Sequence, residues 1–526
     1  MLLIILILSI VIIVRIRLLN IPLDRDEAEY AYGGQLILNG HFPYLEQYSL
    51  KYPGMFFIYS VILFVFGQSS MAIHIGLLFT NLLSCYLLFA ISKKLLNNFS
   101  AIIITSFFAL LSLNENIQGF SANAEHFVVL FTLAGLFYLF KYYETYFKKY
   151  LFLCGLMMAI SFTMKQHGFA FIILGFLLVL HKQIILKVTF FKAVKNISIY
   201  FSGVLSFIIF TLCLIFFLGA FEKFWFLTFT YAREYVSYIN LEQGFNNFIK
   251  NISNVIKEDY LFWIISAFGL FSLIWSKTNR LQMFFVIAFL LTSLLAISPG
   301  FYFRPHYFIL LLPIVAILSG LFFNSFNNYK LESSKKIFAL GFPVLLFISL
   351  ISFYVYSHSS YLFKLSPIQV SKMMFGSNPF SESPEIAKYI SENSLENDNV
   401  AIIGAEPQML FYSKRKSATG YLYVYPFLEN NLYADQMTHE FFREIEKSNP
   451  KIIVFSNHSG TWFGDETRKK EIMDWFNNLV NNNYYKSGIV DIINDTTTNY
   501  YWDNDVNNNS FNGDDLLTVY KKIEKN

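Results

Sequence analysis

The chain has 526 residues, of which 55% are hydrophobic and only 14% are charged, and its formal net charge at pH 7 is +4. A soluble domain normally carries about a quarter charged residues, so this composition excludes an ordinary soluble protein, and the small net charge gives no reason to expect a nucleic-acid partner. Several apolar runs approach or exceed the ~20 residues that a helix needs to cross a bilayer. The sequence therefore predicts a polytopic α-helical membrane protein.

The predicted membrane-spanning helices follow one another as far as residue 356. The opening apolar run has neither a basic start nor an obvious cleavage site, so we interpret it as the first span and not as a signal peptide. The three cysteines all fall inside apolar runs, which favours packing over a disulfide or a metal site. Length and hydropathy place the spans at 1–19, 71–92, 97–113, 125–141, 150–164, 168–181, 198–219, 260–275, 281–298, 306–323 and 337–356.

One further apolar run, Gly54–Phe66, is short for a span, and the charges of the loops decide how it is interpreted. If this run does not cross, the basic loops all fall on one side, which the positive-inside rule identifies as the cytoplasm. We therefore predict a juxtamembrane or re-entrant helix at Gly54–Phe66, and the first loop then faces outward. The basic groups are Lys93/Lys94, Lys141/Lys148/Lys149, Lys182/Lys187/Lys192/Lys195, Lys277/Arg280 and Lys330/Lys335/Lys336.

Two segments after residue 219 differ from the membrane-spanning pattern. Residues 220–258 form a predicted outward loop rich in aromatic side chains, which suit the membrane–water interface. From about residue 366 the sequence becomes polar, with two short apolar runs typical of buried strands and two segments that predict helices. We expect a transmembrane domain over 1–356, a small extracytoplasmic α/β domain over 366–493 and an Asn-rich tail over 494–526.

The first outer loop, "DRDEAEYAYGG", crowds carboxylates at the end of the first span. Asp26 and Glu29 form a D-x-x-E pair, which can cap a helix that begins here. A cap of this kind does not explain Glu27, and it does not explain why the carboxylates lie at a membrane boundary. The alternative is that Asp26 is a general base that takes a proton from a nucleophile. The residues alone leave the two interpretations open.

Several cations and one more carboxylate are predicted to face the same side. Lys51, in "LKYPG", is a compact charge suited to phosphate, although lysines that merely reach the interface are very common. Glu125 and His126 open a span, where the helix dipole favours a carboxylate, and Glu125 could also hold a sugar hydroxyl or help to orient a metal ion. The remaining candidates are Lys165 and His167 in "MKQHG" and Arg304 and His306 in "FRPHYF". Each cation could be an interface anchor, but together they would suit an anionic lipid headgroup.

The stretches "PLDRDEAEYAYGGQLILNGHFPY", "KYPG", "AEHF" and "PHYFILLLPIVAILSG" resemble the bacterial branch of the GT-C glycosyltransferases. These membrane enzymes are similar to protein O-mannosyltransferases and to lipid A aminoarabinose transferases, and the resemblance covers roughly residues 20–325. It implies a polyprenyl-phosphate-linked sugar donor and transfer at the outer face with inversion. It also implies that Asp26 is the essential carboxylate, with Glu27 beside it, and that Lys51 matches the Lys of a Lys-Pro-Pro element from which Tyr52 and Gly54 depart.

We therefore expect a GT-C-like polytopic α-helical membrane protein of about eleven transmembrane helices plus juxtamembrane helices, located in the plasma (inner) membrane. The expected activity is that of a glycosyltransferase that acts on a lipid, glycan or protein acceptor. No cofactor is required, although a divalent metal ion is possible. The expected catalytic residues are Asp26 and Glu27, and the expected substrate-binding residues are Glu29, Lys51, Glu125, His126, Lys165, His167, Arg304 and His306.

Two other functions are compatible with a membrane protein of this composition. A transporter or flippase of polyprenyl-linked sugars would carry ionisable groups deep within its spans, because such groups mark translocation pathways. In this sequence they are almost absent from the span centres and gather at the outer ends. A non-catalytic scaffold would give no reason for the paired carboxylates to share a face with the cations.

Overall fold

The computed structural model describes residues 2–275, 280–326, 333–458, 460–507, 511 and 515–524. Lys277 and Lys330, which belong to the predicted basic loops, lie outside the described residues, as does part of the predicted tail. The chain divides into two compact units. The first unit comprises Met1–Leu18, His74–Leu214 and Val236–Leu365, and the second comprises Leu19–Ile73, Ile215–Tyr235 and Ser366–Asn526.

The first unit is helical throughout. Within the described residues, six helices are long and apolar enough to cross a membrane, by length and composition: Ser70–Leu95, Ala124–Thr145, Gln166–Ile185, Phe190–Phe217, Arg280–Ile297 and Pro305–Phe326. The shorter apolar helices of this unit are Asn98–Leu111, Lys149–Met164, Tyr260–Ile274 and Gly341–Ser357, and a further one, Gly54–Phe66, belongs to the second unit. Each predicted span coincides with a helix, the first of them with Leu2–Arg17, so the predicted polytopic helical architecture is confirmed.

Short segments connect these helices. The amphipathic helix Leu241–Lys257 lies in the predicted aromatic loop and leads directly into the apolar helix Tyr260–Trp275. The connections also contain the 3-10 turns Glu115–Ile117, Gln166–Gly168, Pro299–Phe301 and Pro305–Leu311. The three cysteines are free, as predicted, with Cys85 and Cys154 buried and Cys213 exposed.

The second unit begins with the helix Arg25–Leu38, and its start corrects the predicted cap. Asp24 is the N-cap: its side chain accepts a hydrogen bond from the Glu27 backbone N at 2.9 Å, and the Glu27 carboxylate accepts one from the Asp24 backbone N at 3.1 Å. The capping box is therefore Asp24 with Glu27, and the predicted box of Asp26 with Glu29 is wrong. The reason is that the backbone is still extended at Asp24, so the helix begins one residue before Asp26. Asp26 and Glu29 are left available for other contacts.

The rest of the second unit contains one mixed sheet. Its strands are β1 (Asn399–Ile403), β2 (Lys416–Ser417), β3 (Ile452–Asn457), β4 (Tyr484–Asn494), β5 (Thr497–Trp502) and β6 (Asp515–Lys522), in the order β2-β1-β3-β6-β4-β5. Strand β1 is parallel to β2 and β3, and the other pairs are antiparallel. The helices of this region are Phe221–Trp225, Pro367–Phe375, Ser383–Glu392, Gln408–Ser413, Tyr425–Leu428, Ala434–Ser448 and Glu466–Asn483.

The sheet confirms the predicted α/β region and corrects its end. The two apolar runs predicted as strands are β1 and β3. The predicted Asn-rich tail over 494–526 is wrong for β5 and β6, because both belong to the sheet and β6 lies between β3 and β4. The asparagines mostly precede or separate these two strands, whose own residues are mostly β-branched, aromatic or aliphatic.

Candidate functional site

The first helix of the second unit and the loop that follows it hold a charged cluster of Asp26, Glu29 and Lys51, which we call the Asp26 cluster. Lys51 Nζ lies 2.7 Å from Asp26 Oδ1 and 2.7 Å from Glu29 Oε2. Asp26 and Glu29 are three residues apart near the start of the helix Arg25–Leu38, which places both side chains on one face. Lys51 reaches them from the following loop, where the Tyr44 hydroxyl donates to the Lys51 carbonyl at 2.6 Å.

The two carboxylates of the Asp26 cluster differ in burial. Glu29 is 2% exposed, and its carboxylate accepts hydrogen bonds from the Tyr423 hydroxyl, at 2.7 Å, and from the Ser49 hydroxyl. The Asp26 side chain is 23% exposed and that of Lys51 is 22% exposed. Glu29 is therefore fixed and shielded, whereas Asp26 can meet a molecule that arrives from solvent.

The charges of the Asp26 cluster depend on one another. Burial alone would lower the pKa of Lys51, but Asp26 and Glu29 raise it well above its usual value, so the ammonium stays charged. Burial, and then the charge of Glu29, raises the pKa of Tyr423, which keeps its hydroxyl as a donor. The Lys51 ammonium occupies the position that a divalent ion would need in order to join the two carboxylates.

Sequence reasoning missed Ser49 and Tyr423. Ser49 stands two residues before Lys51, and Tyr423 is 394 positions from Glu29 in the chain. The tertiary fold determines which donors lie near a buried carboxylate, and no short sequence spacing links Glu29 to Ser49 or Tyr423. The only available signal was general: a buried carboxylate needs donors, and hydroxyl groups supply them.

A second charged cluster lies in the first unit, and we call it the Glu125 cluster. Lys165 Nζ is 2.6 Å from Glu125 Oε1, and His306 Nε2 is 3.9 Å from the same oxygen. The other ring nitrogen of His306, Nδ1, is 2.9 Å from Gln118 Oε1. The Lys165 ammonium also lies over the Tyr307 ring, 4.5 Å from its centroid. Glu125 begins the helix Ala124–Thr145, and its side chain is fully buried.

The other predicted site residues of the first unit lie around this cluster or at the surface. The ring of His167 packs against that of Tyr307, with centroids 4.4 Å apart, so His167 shares the neighbourhood of Lys165. His126 is buried next to Glu125 in the chain. Arg304 is exposed, and its guanidinium lies over the Tyr302 ring at 5.3 Å. The structure thus brings together Glu125, Lys165, His167 and His306.

Comparison with known proteins finds one family profile that matches part of the chain and several solved structures with a similar fold. The sequence profile of the family described as dolichyl-phosphate-mannose-protein mannosyltransferase matches residues 51–216, a range that includes Lys51 and Glu125 but not Asp26. No curated protein sequence matches the chain. The fold is similar to that of ArnT from Cupriavidus metallidurans in the apo state, with a TM-score of 0.60 at 11% identity, covering 98% of this chain and 97% of that chain.

Two further solved structures share the fold. ArnT from Cupriavidus metallidurans bound to undecaprenyl phosphate gives a TM-score of 0.53 at 13% identity, covering 86% of this chain and 92% of that one. The apo oligosaccharyltransferase of Archaeoglobus fulgidus gives 0.55 at 12% identity, covering 95% and 74%. At these identities the likeness establishes the fold. The predicted GT-C architecture and the resemblance to GT-C glycosyltransferases are confirmed.

Proposed function

We propose that this chain is an integral-membrane glycosyltransferase that moves a sugar from a polyprenyl-phosphate-linked donor to a hydroxyl or amine acceptor, with Asp26 as the general base. The observation that carries the proposal is the Asp26 cluster, in which a partly exposed carboxylate lies 2.7 Å from a partly exposed ammonium. The ArnT structure bound to undecaprenyl phosphate and the family profile named for a dolichyl-phosphate sugar support the class of donor.

The chemistry that we propose is a single displacement with inversion. Asp26 takes the proton from the acceptor group, and the acceptor atom attacks the anomeric carbon of the sugar. The bond between that carbon and the phosphate oxygen breaks, and the polyprenyl phosphate leaves with the electron pair. A positioned carboxylate base contributes typically ~10²–10⁴-fold to the rate of such a step.

Lys51 is the residue that we propose to meet the phosphate. An ammonium that faces a developing phosphate charge stabilises the leaving group. Glu29 keeps Lys51 in place through its hydrogen bonds with Tyr423 and Ser49, so Asp26 is the partner that Lys51 can exchange for phosphate. Glu27 holds the start of the helix that carries Asp26.

The Glu125 cluster is proposed to bind a polar group of the donor or the acceptor. Glu125 can accept a hydrogen bond from a sugar hydroxyl, and Lys165 and His306 can donate to an oxygen. We extend the same proposal to His126, His167 and the exposed Arg304. The loop charges place these groups on the extracytoplasmic side of the plasma membrane in this proposal.

The direct test is Asp26→Asn in membranes that carry the full chain. We expect transfer to fall by ~10²–10⁴-fold, because the amide cannot take up the proton. The fold should survive, since Lys51 keeps Glu29 as its partner. The measurement is mass spectrometry of the glycolipids and glycoproteins of a deletion strain complemented with the variant, together with the amount of protein in the membrane.

The matched control is Glu46→Gln in the same loop, where the lost carboxylate pairs with the half-exposed Lys416. Exposed pairs of this kind contribute little, so transfer should continue. Wild-type transfer by Asp26→Asn would contradict the assignment of the base. The rival function, a flippase, would not itself attach sugar to an acceptor. Purified protein that transfers no sugar in detergent, but moves the polyprenyl-linked sugar across the membrane of a vesicle, would favour that function.

A further inference from the structure

A buried histidine of the first unit stands outside both charged clusters. His358 directly follows the helix Ser333–Ser357, and its side chain is 1% exposed. Its Nε2 atom lies 2.9 Å from Asp259 Oδ1, and Asp259 in turn accepts a hydrogen bond from the Asn114 side chain. Asp259 therefore fixes the orientation of the His358 ring, and Asn114 fixes the Asp259 carboxylate.

The other ring nitrogen of His358 faces two carboxylates. Nδ1 lies 3.6 Å from Glu115 Oε2 and 3.6 Å from Glu258 Oε2, beyond hydrogen-bond distance. Within the described part of the chain, neither His358 Nδ1 nor Glu115 Oε2 has a hydrogen-bond partner. The hydrogen bond with Asp259 uses Nε2, so Nδ1 is the ring nitrogen that faces the two carboxylate oxygens. Burial lowers the pKa of His358, but Asp259 and Glu115 outweigh it and raise this pKa to about 10, so without a metal ion the imidazolium is the cation between the carboxylates. A divalent ion that displaces the Nδ1 proton would meet three ligand atoms close together.

We propose that Glu115, Glu258 and His358 bind a divalent metal ion. One ligand atom from each residue lies within 4.8 Å of the others, and the 3.6 Å separations suit ligands that each stand about 2.0–2.2 Å from a shared ion. An imidazole with two carboxylates suits Zn²⁺ or Mn²⁺ better than Ca²⁺, which takes oxygen ligands alone.

The surroundings of this site are those of a metal centre. Asp259 acts as the outer carboxylate that fixes the ligand histidine, an arrangement typical of protein zinc sites. The Glu258 side chain is 43% exposed, which gives the ion a path from solvent and leaves coordination positions for water. The rings of Tyr354 and Tyr361 pack against that of His358, with centroids 4.5 Å and 5.3 Å from it.

The ion would join three separate segments of the first unit. Glu115 belongs to the 3-10 turn Glu115–Ile117, Glu258 caps the end of the amphipathic helix Leu241–Lys257, and His358 follows the last helix of the unit. A ligand that binds only the folded state stabilises it by mass action. The site is therefore expected to stabilise the chain, independently of the glycosyl transfer proposed above.

The test is Zn²⁺ and Mn²⁺ binding to the full chain in detergent after removal of metals with a chelator. Isothermal titration with Zn²⁺ and electron paramagnetic resonance with Mn²⁺ should each report one site, and Zn²⁺ should raise the melting temperature. Glu258→Gln should weaken binding at least tenfold without risk to the fold, because this side chain is half-exposed. His358→Gln should abolish binding, and Asp259→Asn, a change outside the ligand set, should weaken it by ~10–100-fold.

The matched control is His439→Gln, which removes an exposed imidazole whose Nδ1 atom lies 2.8 Å from the Asp435 carbonyl oxygen of the same helix. This variant should bind both metals as the wild type does. Absence of a stoichiometric site in the wild type, or equal binding by the wild type and Glu258→Gln, would overturn the proposal. A melting temperature that responds to pH and not to either metal would identify a protonated imidazolium as the cation, which also overturns it.

Discussion

Asp26 and Glu29 carry the same chemical group three residues apart, and their surroundings give them different tasks. Glu29 is buried and hydrogen-bonded by two hydroxyl groups, so its charge is satisfied by fixed protein donors. Asp26 shares Lys51 with it but keeps part of its surface in solvent. A base must both stay ionised and reach its substrate, and of the two only Asp26 combines these properties.

The first prediction at this scale concerns Lys51 and pH. Its pKa is raised well above the ordinary value of about 10.4, because Asp26 and Glu29 outweigh the effect of burial. A raised pKa contributes stability that is complete below the unfolded value and is lost only as pH rises through the folded value. Lys51→Met, which leaves two carboxylates without their counter-ion, should cost about 3 kcal/mol, the lower end of the range for buried pairs.

The difference in melting temperature between wild type and Lys51→Met should therefore persist undiminished from about pH 7 to pH 10. The control is Lys451→Met, which breaks the exposed pair with Glu524 and should cost no more than about 1 kcal/mol. A difference that shrinks as pH rises from 8 to 9 would mean that Lys51 loses its proton there, contrary to the raised pKa.

At the scale of the element, the start of the helix Arg25–Leu38 shows what a local pattern can decide. The sequence contains two overlapping D-x-x-E pairs, Asp24 with Glu27 and Asp26 with Glu29, and both satisfy the spacing of a capping box. Spacing alone predicted a helix here but not which pair begins it. The extended backbone at Asp24 settles the register, and that register turns Glu27 into part of the cap.

A second prediction concerns the packing of this helix on Gly54–Phe66. A Cβ added at Gly34 would stand 2.9 Å from the Ser60 backbone N and 3.1 Å from the Tyr59 carbonyl carbon. Because backbone atoms cannot swing aside, Gly34→Val should push the two helices apart at a cost of about 1–3 kcal/mol. Transfer should fall together with the melting temperature, since the displaced helix carries Asp26 and Glu29.

The matched control for this variant is Gly341→Val, because Gly341 also lies in a helix but its added Cβ meets no atom of another element within 4 Å among the described residues. Both variants lose the same flexibility and gain the same side chain, so only the crowding differs. Equal melting temperatures and equal transfer rates for the two would show that the close approach of the two helices is not required.

At the scale of the whole molecule, hydropathy predicted which segments form helices and strands better than it predicted which segments pack together. Each apolar run that was predicted to span the membrane forms a helix, and the two shorter runs at β1 and β3 form strands. These outcomes depend on neighbours within about 20 residues. The grouping of residues 19–73 and 215–235 with the C-terminal region was not predictable in this way. The contacts of Glu29 with Tyr423 and of His358 with Asp259 join residues 394 and 99 positions apart, so no spacing in the sequence predicts them.

The C-terminal strand β6 provides the last prediction. It lies between β3 and β4 and pairs with both along its length, so the sheet is continuous only through β6. A chain that ends at residue 507 would leave β3 and β4 with unpaired edges, which promote aggregation, and would reduce the β4–β5 part to a hairpin, which is marginal by itself.

We expect this truncation to lose protease resistance after residue 366 and, because Tyr423 belongs to the same unit, to lose transfer as well. The control is a chain that ends at Glu524, which keeps the whole of β6 and should behave as the wild type does. Limited proteolysis of both proteins in detergent distinguishes an integral strand from a dispensable tail, because wild-type protease resistance in the shorter chain would mean that the sheet does not need β6.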